Sequence, residues 1–191
     1  MMDDEALLTH LARDLDGAFE ALVRAHQDRL YSIALRCLGD PSEAEEVAQD
    51  TFVRAYRALG GYESVRIREL HLRAWLATIA IRQCLTRAAR RRLASAPLVA
   101  DGRLDPVAPL AQTPHEAVAR REGAERLAVH VAALPERYRT AVVLRHVDGL
   151  SYPEMSEVLG RAEGTVKAQV HRGLVLLRAA LAAAEREESI A

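Results

Sequence analysis

The sequence predicts an all-α protein made of two small helical domains joined by a flexible linker. Apolar residues recur every three or four positions, as Leu30, Ile33 and Cys37 do, which is typical of one face of a helix. No segment alternates apolar and polar residues in the manner of a half-buried strand. Residues 94–113 are instead rich in alanine, proline and aspartate, a composition typical of linkers. We therefore predict domains at residues 1–93 and 114–191, with the linker at 94–113.

The first domain is predicted to hold three long helices. The apolar pattern places the first from about Asp16 to Leu38. A turn follows at 39–42, where Ser42 and Glu45 have the spacing of a capping box that opens a second helix. Two glycines at 60–61 end that helix. A polar loop then leads to a third helix at about 72–93.

The second domain is predicted to be helical from His115 to about Glu187, with breaks at 134–135 and 148–149. Its last part is predicted to contain two helices joined by a tight turn. Ser151 and Glu154 have capping-box spacing, and Gly160 permits the sharp turn. The helix after the turn has an apolar stripe that should be buried: Val166, Val170, Leu174, Leu177 and Leu181. This is the layout of a helix-turn-helix, which lays its second helix in the major groove of DNA.

The polar residues beside that stripe are candidates for contact with DNA. Lys167 and Arg172 can neutralise phosphate or read guanine, and Gln169 can pair with adenine. Ala168 and His171 share this face but are less informative. The alternative is that the surface is the solvated face of an ordinary helical hairpin.

The net charge of −1 conceals a strong asymmetry along the chain. Acidic residues outnumber arginines over residues 1–60. Residues 70–100 carry no acidic side chain and contain a run of arginines: Arg73, Arg82, Arg87, Arg90, Arg91 and Arg92. A surface divided in this way suits a protein that binds nucleic acid with one face and a protein partner with another.

Other classes of function find no support in the sequence. No run approaches the ~20 apolar residues of a membrane span. The acidic start lacks the features of a signal peptide, so we expect a cytoplasmic protein. Cys37 and Cys84 form no Cys-x-x-Cys pair and are predicted to be buried free thiols. Because the histidines lack metal-ligand spacing and no glycine-rich phosphate loop occurs, we predict no metal, no cofactor, no small-molecule substrate and no enzymatic activity.

Several segments together resemble the extracytoplasmic-function (ECF) sigma factors, bacterial proteins that direct RNA polymerase to promoters. Residues 30–52, with Gly-Asp-Pro-Ser-Glu-Ala-Glu-Glu at 39–46, and Trp75-Leu76 before the arginine run are similar to region 2 of that family. Residues 134–139 and 150–167, ending in Gly-Thr-Val-Lys, are similar to region 4. The order and spacing of these segments extend the resemblance over both predicted domains.

The resemblance implies roles for residues of the first domain. Glu45, Glu46, Gln49 and Asp50 match the helix that binds a coiled coil in the largest subunit of the RNA polymerase core, and an acidic face suits a basic partner. Further residues match the surface that binds the −10 promoter element and captures a flipped-out base. They are Tyr62, Ser64, Arg66, Trp75, Arg82, Gln83, Arg87, Arg90 and Arg91.

In the second domain, the resemblance implies that the helix at 165–177 reads the −35 promoter element. The implied contacts are Thr165, Lys167, Ala168, Gln169, His171 and Arg172. The chain departs from the common family pattern at Ile81-Arg82 and Ala168-Gln169, which implies a distinct promoter sequence. The family also implies control by an anti-sigma factor, often anchored in the membrane, that covers both domains.

Two other functions remain open on the sequence alone. A dimeric helix-turn-helix regulator with an N-terminal sensing domain would bind palindromic operators. A helical adaptor would bind DNA only weakly and without base preference. The acidic helix at 45–50 followed by Trp75 and the arginine run favours the sigma factor, since neither alternative requires this combination.

Overall fold

The computed structural model describes residues 3–94 and 127–188, and every regular element in these ranges is a helix. This confirms the all-α class. The first range holds α1 (Asp4–Arg13), α2 (Leu15–Leu38), α3 (Pro41–Leu59), α4 (Ser64–Arg68) and α5 (Leu72–Ala94). The second holds α6 (127–133), α7 (Glu136–Val142), a π-helical turn (Val143–Val147), α8 (Tyr152–Leu159) and α9 (Glu163–Glu188). Apart from Ala94, the predicted linker lies outside the described residues.

Side chains at the helix starts explain where α3 and α8 begin. The prediction that Ser42 opens α3 was wrong. Asp40 caps this helix instead, because its carboxylate accepts the N–H of Glu43 at 2.9 Å. The capping box of α8 is confirmed: the Glu154 carboxylate accepts the N–H of Ser151 at 2.7 Å, and the Ser151 hydroxyl accepts the N–H of Glu154 at 3.4 Å.

Two helices of the first domain were not predicted. The short α1 buries its leucines against α2 and α4. The five-residue α4 lies within the predicted polar loop, where the Ser64 hydroxyl donates to the carbonyl of Ala12 at 2.8 Å. Since α4 has little more than one turn, it shows no apolar periodicity that a sequence pattern could reveal.

The core of the first domain lies where α2 packs against α3 and α5. Leu22, Leu30 and Ile33 of α2 are completely buried there, as are Val47 of α3 and Leu76 of α5. This core holds α3 and α5 side by side, with a groove between them that opens to solvent.

In the second domain, α9 packs against both α7 and α8. Met155 and Val166 are completely buried in this core. Gly173 permits the close approach of α7 and α9, because a Cβ atom at this position would lie 2.6 Å from Cγ2 of Val142. Gly160 ends α8 with a φ of 61°, in the left-handed region, as the predicted turn requires.

The two domains are docked against each other, with α8 on α5 and the π-helical turn on α2. The fully buried carboxylate of Asp148 accepts hydrogen bonds from Nε and Nη2 of Arg29, the second at 2.6 Å. Nη2 of Arg73 donates to the carbonyl of Asp148 at 2.6 Å and lies 3.8 Å from its carboxylate. We call these three residues the interdomain clamp. Paired charges with this geometry hold the faces of the two domains in a defined register.

Candidate nucleic-acid interface

The four residues of α3 that were predicted to bind polymerase lie on two faces of the helix. Glu45 and Gln49 are one turn apart, with 3.2 Å between the Gln49 amide nitrogen and the Glu45 carboxylate, and they border a groove between α2 and α3. Glu46 and Asp50 border the other groove, between α3 and α5. With 3.6 residues per turn, residues four positions apart share a face and adjacent residues do not. The four residues predicted to form one acidic surface therefore line two separate grooves.

Ion pairs cross the groove between α3 and α5. Arg87 donates to the carboxylates of Glu46 at 2.6 Å and Asp50 at 3.1 Å, and Arg91 donates to Glu43. The hydrogen bond with Glu46 raises the pKa of Arg87 above its ordinary value. Arg87 and Arg91 were predicted to bind DNA phosphates, but here they pair with carboxylates. Two of these carboxylates, Glu46 and Asp50, were predicted to bind polymerase.

Three other arginines line the same groove: Arg54, Arg82 and Arg90. Their side chains are exposed and form no ion pair with any residue that the structure describes. Arg54 was missed in the sequence, because it lies on a mainly acidic helix and belongs to no run or motif.

An aromatic cleft of about 400 Å³ lies beside this groove. The rings of Tyr62 and Trp75 line it, with their centroids 6.2 Å apart, and Arg54 and Arg82 lie at the same opening. Ligand pockets in proteins span roughly 300–1,000 Å³, so the cleft has the size of a ligand site. Aromatic walls with cations at the rim are the combination that binds unpaired bases.

The remaining residues predicted for the −10 surface differ in their surroundings. The guanidinium of Arg66 stacks on the ring of Tyr62, 3.9 Å from its centroid. Ser64 binds the backbone of α1, as described above, and not the residues of the cleft. Gln83 is nearly buried, with its amide 2.9 Å from the hydroxyl oxygen of Thr51, so its side chain joins α5 to α3.

The predicted −35 residues lie together along α9. A single groove is lined by Lys167, Ala168, Gln169, His171 and Arg172, while Thr165 is exposed in the first turn of the helix. The opposite wall of this groove belongs to α7, which the sequence did not place there. It consists of Arg137 and Tyr138, whose guanidinium and ring centroid are 4.6 Å apart.

The charges beside this groove favour an anionic ligand. Lys167 lies 3.4 Å from the carboxylate of Glu163 and 5.3 Å from the ring centroid of Tyr152. The guanidinium of Arg145 lies 4.9 Å from the same centroid. Within the groove itself, Oε1 of Gln169 is buried and accepts no hydrogen bond from the described residues. The exposed cations Lys167 and Arg172 of this surface suit contact with the phosphates of DNA.

The two cysteines are buried free thiols, as predicted. A hydrogen bond with the Cys37 thiol, together with burial, raises the pKa of Cys84. Among the described residues, no group of three histidine, cysteine, aspartate or glutamate side chains could hold a metal ion. No helix within 3–94 or 127–188 combines the length and apolar character that crossing a membrane requires.

Comparison with known proteins identifies the family. Residues 22–94 match the family model for Sigma-70 region 2, and residues 124–177 match that for Sigma-70, region 4. The ECF RNA polymerase sigma factor SigW of Bacillus subtilis (strain 168) is 31% identical over 176 residues, which cover 84% of this chain and 87% of that protein. The helical domains and the helix-turn-helix indicate a DNA-binding class of protein. The family and sequence matches go further and identify the family within that class. The chain belongs to the ECF sigma factors.

Solved structures agree with this assignment. CnrH, in complex with the cytosolic domain of CnrY, aligns with a TM-score of 0.65 and 28% identity, covering 94% of this chain and 97% of that one. The sigma factor RpoE from Bartonella quintana, in complex with the anti-sigma factor NepR, aligns with a TM-score of 0.68 over 85% of this chain and 96% of that one. Because its identity is 20%, this second likeness concerns the fold alone.

Proposed function

We propose that the protein binds the core of bacterial RNA polymerase in the cytoplasm and directs it to promoters, without catalysing a reaction itself. The observation that carries the proposal is the Tyr62–Trp75 cleft with arginines from two helices at its opening, in a member of the ECF sigma family. We retain 1–93 and 114–191 as the two functional domains and 94–113 as the linker.

Core polymerase binding is assigned to Glu45, Glu46, Gln49 and Asp50. Glu45 and Gln49 are exposed and form their only side-chain hydrogen bond among the described residues with each other, so a basic partner can reach them directly. Glu46 and Asp50 already interact with Arg87, and a polymerase cation would have to compete with this arginine. The pair formed by Glu45 and Gln49 is therefore the cleaner target for mutation.

Binding at the −10 element is assigned to the aromatic cleft and its cationic rim. Removing a base from its stack costs a few kcal/mol. Stacking on aromatic side chains such as Tyr62 and Trp75 contributes about 1–3 kcal/mol per base, which is of the same size and offsets this cost. Arg82 and Arg90 would bind the phosphates of the same strand, since no carboxylate among the described residues occupies them.

Binding at the −35 element is assigned to the exposed face of α9, which would enter the major groove. Each domain alone would read one short element weakly. Joined in one chain, the second domain binds at a high effective concentration once the first is bound, so the pair selects promoters that carry both elements.

An anti-sigma factor is proposed as a second partner. Support comes from RpoE of Bartonella quintana, whose complex contains an anti-sigma factor, and from the shared fold. Whether such a partner of this chain is anchored in a membrane stays a prediction from the family.

The proposal is tested by capture of purified core RNA polymerase on the immobilised chain. We expect stoichiometric capture by the wild type and at least tenfold weaker capture by the Glu45→Ala/Gln49→Ala variant. The control is Glu5→Ala/Thr9→Ala, an exposed pair with the same spacing on α1. No capture by folded wild-type protein would contradict the proposed function, and equal capture by both variants would remove the assigned surface.

A further inference from the structure

The structure assigns a nucleic-acid contact that the sequence did not reveal. We infer that Arg54, on α3, binds a backbone phosphate of the DNA strand whose base enters the Tyr62–Trp75 cleft. The inference rests on the proposed function, because it supposes that the cleft holds an unpaired base.

Arg54 stands where the two neighbouring surfaces meet. It lines both the groove between α3 and α5 and the aromatic cleft. Of the other described residues, Arg82 and Gln83 do the same, and the amide of Gln83 is engaged with Thr51. The junction thus offers one exposed guanidinium from α3 and one from α5.

Arg54 is also more available than Arg87 and Arg91, two of the arginines that the sequence pattern favours. A phosphate that binds Arg87 must displace the carboxylates of Glu46 and Asp50. A phosphate that binds Arg91 must displace Glu43. Arg54 forms no ion pair with the described residues, so a phosphate there displaces none of their carboxylates. Since exchanging one anion for another yields little net free energy, Arg54 is a stronger phosphate ligand than Arg87 or Arg91.

The chemistry of an extruded nucleotide fits this position. A flipped base leaves the stack by rotation about its backbone, so its flanking phosphates stay at the mouth of the pocket that takes the base. A guanidinium binds phosphate through two parallel hydrogen bonds, which fixes position as well as charge. Arg54 and Arg82 are therefore placed to hold the backbone where the cleft meets the groove.

The competing explanation is that Arg54 is an ordinary solvated cation. Arg57 provides the matched control, because it is exposed on the same helix and lines neither the groove nor the cleft. Any general effect of net charge on DNA binding is shared by both arginines. A local phosphate contact is a property of Arg54 alone.

The experiment uses the complex of the full chain with core RNA polymerase. A promoter is first isolated from a randomised duplex library by the wild-type complex. A version of this promoter with an unpaired bubble over its −10 region is then titrated at several salt concentrations between about 50 and 200 mM. The proteins compared are the wild type, Arg54→Ala, Arg54→Lys and Arg57→Ala.

We expect Arg54→Ala to bind the bubble about three- to tenfold more weakly than the wild type. The fall of log affinity with log salt should also be less steep, by about one unit of slope. Arg54→Lys should keep the wild-type slope, because it keeps the charge. Arg57→Ala should match the wild type in both quantities. Polymerase capture should be equal for all four proteins.

Three results would decide otherwise. If Arg54→Ala and Arg57→Ala have the same affinity and slope, the inference is overturned while the proposed function stands. Weaker polymerase capture by Arg54→Ala would assign the residue to the protein partner, which also overturns the inference. A wild-type complex that selects no promoter would contradict the proposed function itself.

Discussion

His26 of α2 is a buried titratable side chain with charged neighbours, and its Nε2 lies 3.4 Å from a carboxylate oxygen of Asp4. It is 4% exposed, and neither ring nitrogen has a hydrogen-bond partner among the described residues. Burial lowers the pKa of this histidine, the nearby Arg29 and Arg73 lower it further, and the carboxylates of Asp4 and Asp148 act in the opposite direction. The imidazole therefore stays neutral in the folded protein at a pH where the unfolded chain is already protonated.

This arrangement predicts a loss of stability in mild acid. With a folded pKa below the ordinary value of 6.5, the unfolded state binds more protons, so the free energy of unfolding falls as the pH drops through 6.5. Urea unfolding between roughly pH 7 and pH 5 should show this decrease in the wild type. The decrease should be smaller in His26→Leu, which cannot titrate. Equal slopes in the two proteins would assign the acid sensitivity to other groups.

The pairing of side chains was the part that sequence patterns predicted least well. The arginine run was assigned to DNA as a whole, yet Arg87 pairs with Glu46, which precedes it by 41 positions. Arg54, which belongs to no pattern, lines the aromatic cleft together with Arg82 and forms no ion pair with the described residues. Partners so far apart in the chain are brought together by the packing of α3 on α5, which single-residue reasoning does not foresee.

Among the helices, α7 and α9 pack at a distance that leaves no room for a side chain at Gly173. An added Cβ would meet Cγ2 of Val142 at 2.6 Å and the carbonyl of Tyr138 at 3.3 Å. Both neighbours are rigid, because Val142 is buried and β-branched and the other contact is backbone. The same packing brings Tyr138 to the wall of the α9 groove.

We expect Gly173→Ala to lower the free energy of unfolding by about 1–3 kcal/mol, the usual cost of overpacking a core. Gly164→Ala is the matched control, since it lies in the first turn of α9 and a Cβ there meets no atom within 4 Å. The control should be neutral or more stable, because alanine favours a helix over glycine. Thermal unfolding followed by circular dichroism measures the stability of both variants. If Gly173→Ala were as stable as Gly164→Ala, the close packing of α7 on α9 would be contradicted.

The exposed face of α9 makes a separate prediction about DNA. Lys167→Ala/Arg172→Ala should bind duplex promoter DNA more weakly. Its log affinity should fall less steeply with log salt, by about two units of slope, one for each lost phosphate contact. Arg178→Ala/Arg186→Ala alters the same helix at exposed positions that do not line its groove. Fluorescence anisotropy of the DNA, titrated with the complex of sigma factor and core polymerase, measures the affinity and its salt dependence for both double variants. The same slope in both variants would place the recognition face elsewhere.

At the scale of the whole molecule, docking of the domains conflicts with simultaneous reading of two promoter elements. The buried residues of both domains form one continuous core, and the interdomain clamp holds them together. A compact chain of this length has a radius of gyration of about 16 Å. Elements centred about 25 base pairs apart are separated by about 85 Å at ~3.4 Å per base pair. If the protein reads both elements, its domains must therefore separate.

Replacing the acid of the clamp should promote this separation. Asp148→Ala leaves Arg29 without its carboxylate, and removing one partner of a buried ion pair destabilises by about 3–5 kcal/mol. Small-angle X-ray scattering should show a larger radius of gyration for this variant, with helical content unchanged. Glu157→Ala, at an exposed acid of α8, should keep the wild-type value. An unchanged radius for Asp148→Ala would show that apolar packing alone holds the domains together.

The sequence by itself determined the all-helical class, the long helices, the capping box of α8 and the position of the helix-turn-helix. These features follow from local rules, because periodicity, caps and glycine turns act within a few residues. Recognition of the family from short motifs was confirmed by its relatives. The short helices α1 and α4 lay beyond these patterns. The cap by Asp40, followed by Pro41, is a local start signal, and the prediction assigned it to Ser42 instead.

Only the tertiary structure decided which charges remain open to a partner. Packing of α3 on α5 joins Glu46 and Asp50 to Arg87, and leaves Arg54 at the cleft. Docking of the domains buries Asp148 against Arg29 of α2. Each of these contacts links residues from different helices, and their distances depend on how the apolar faces pack. Sequence patterns describe single elements, so they name the charged residues but not their partners.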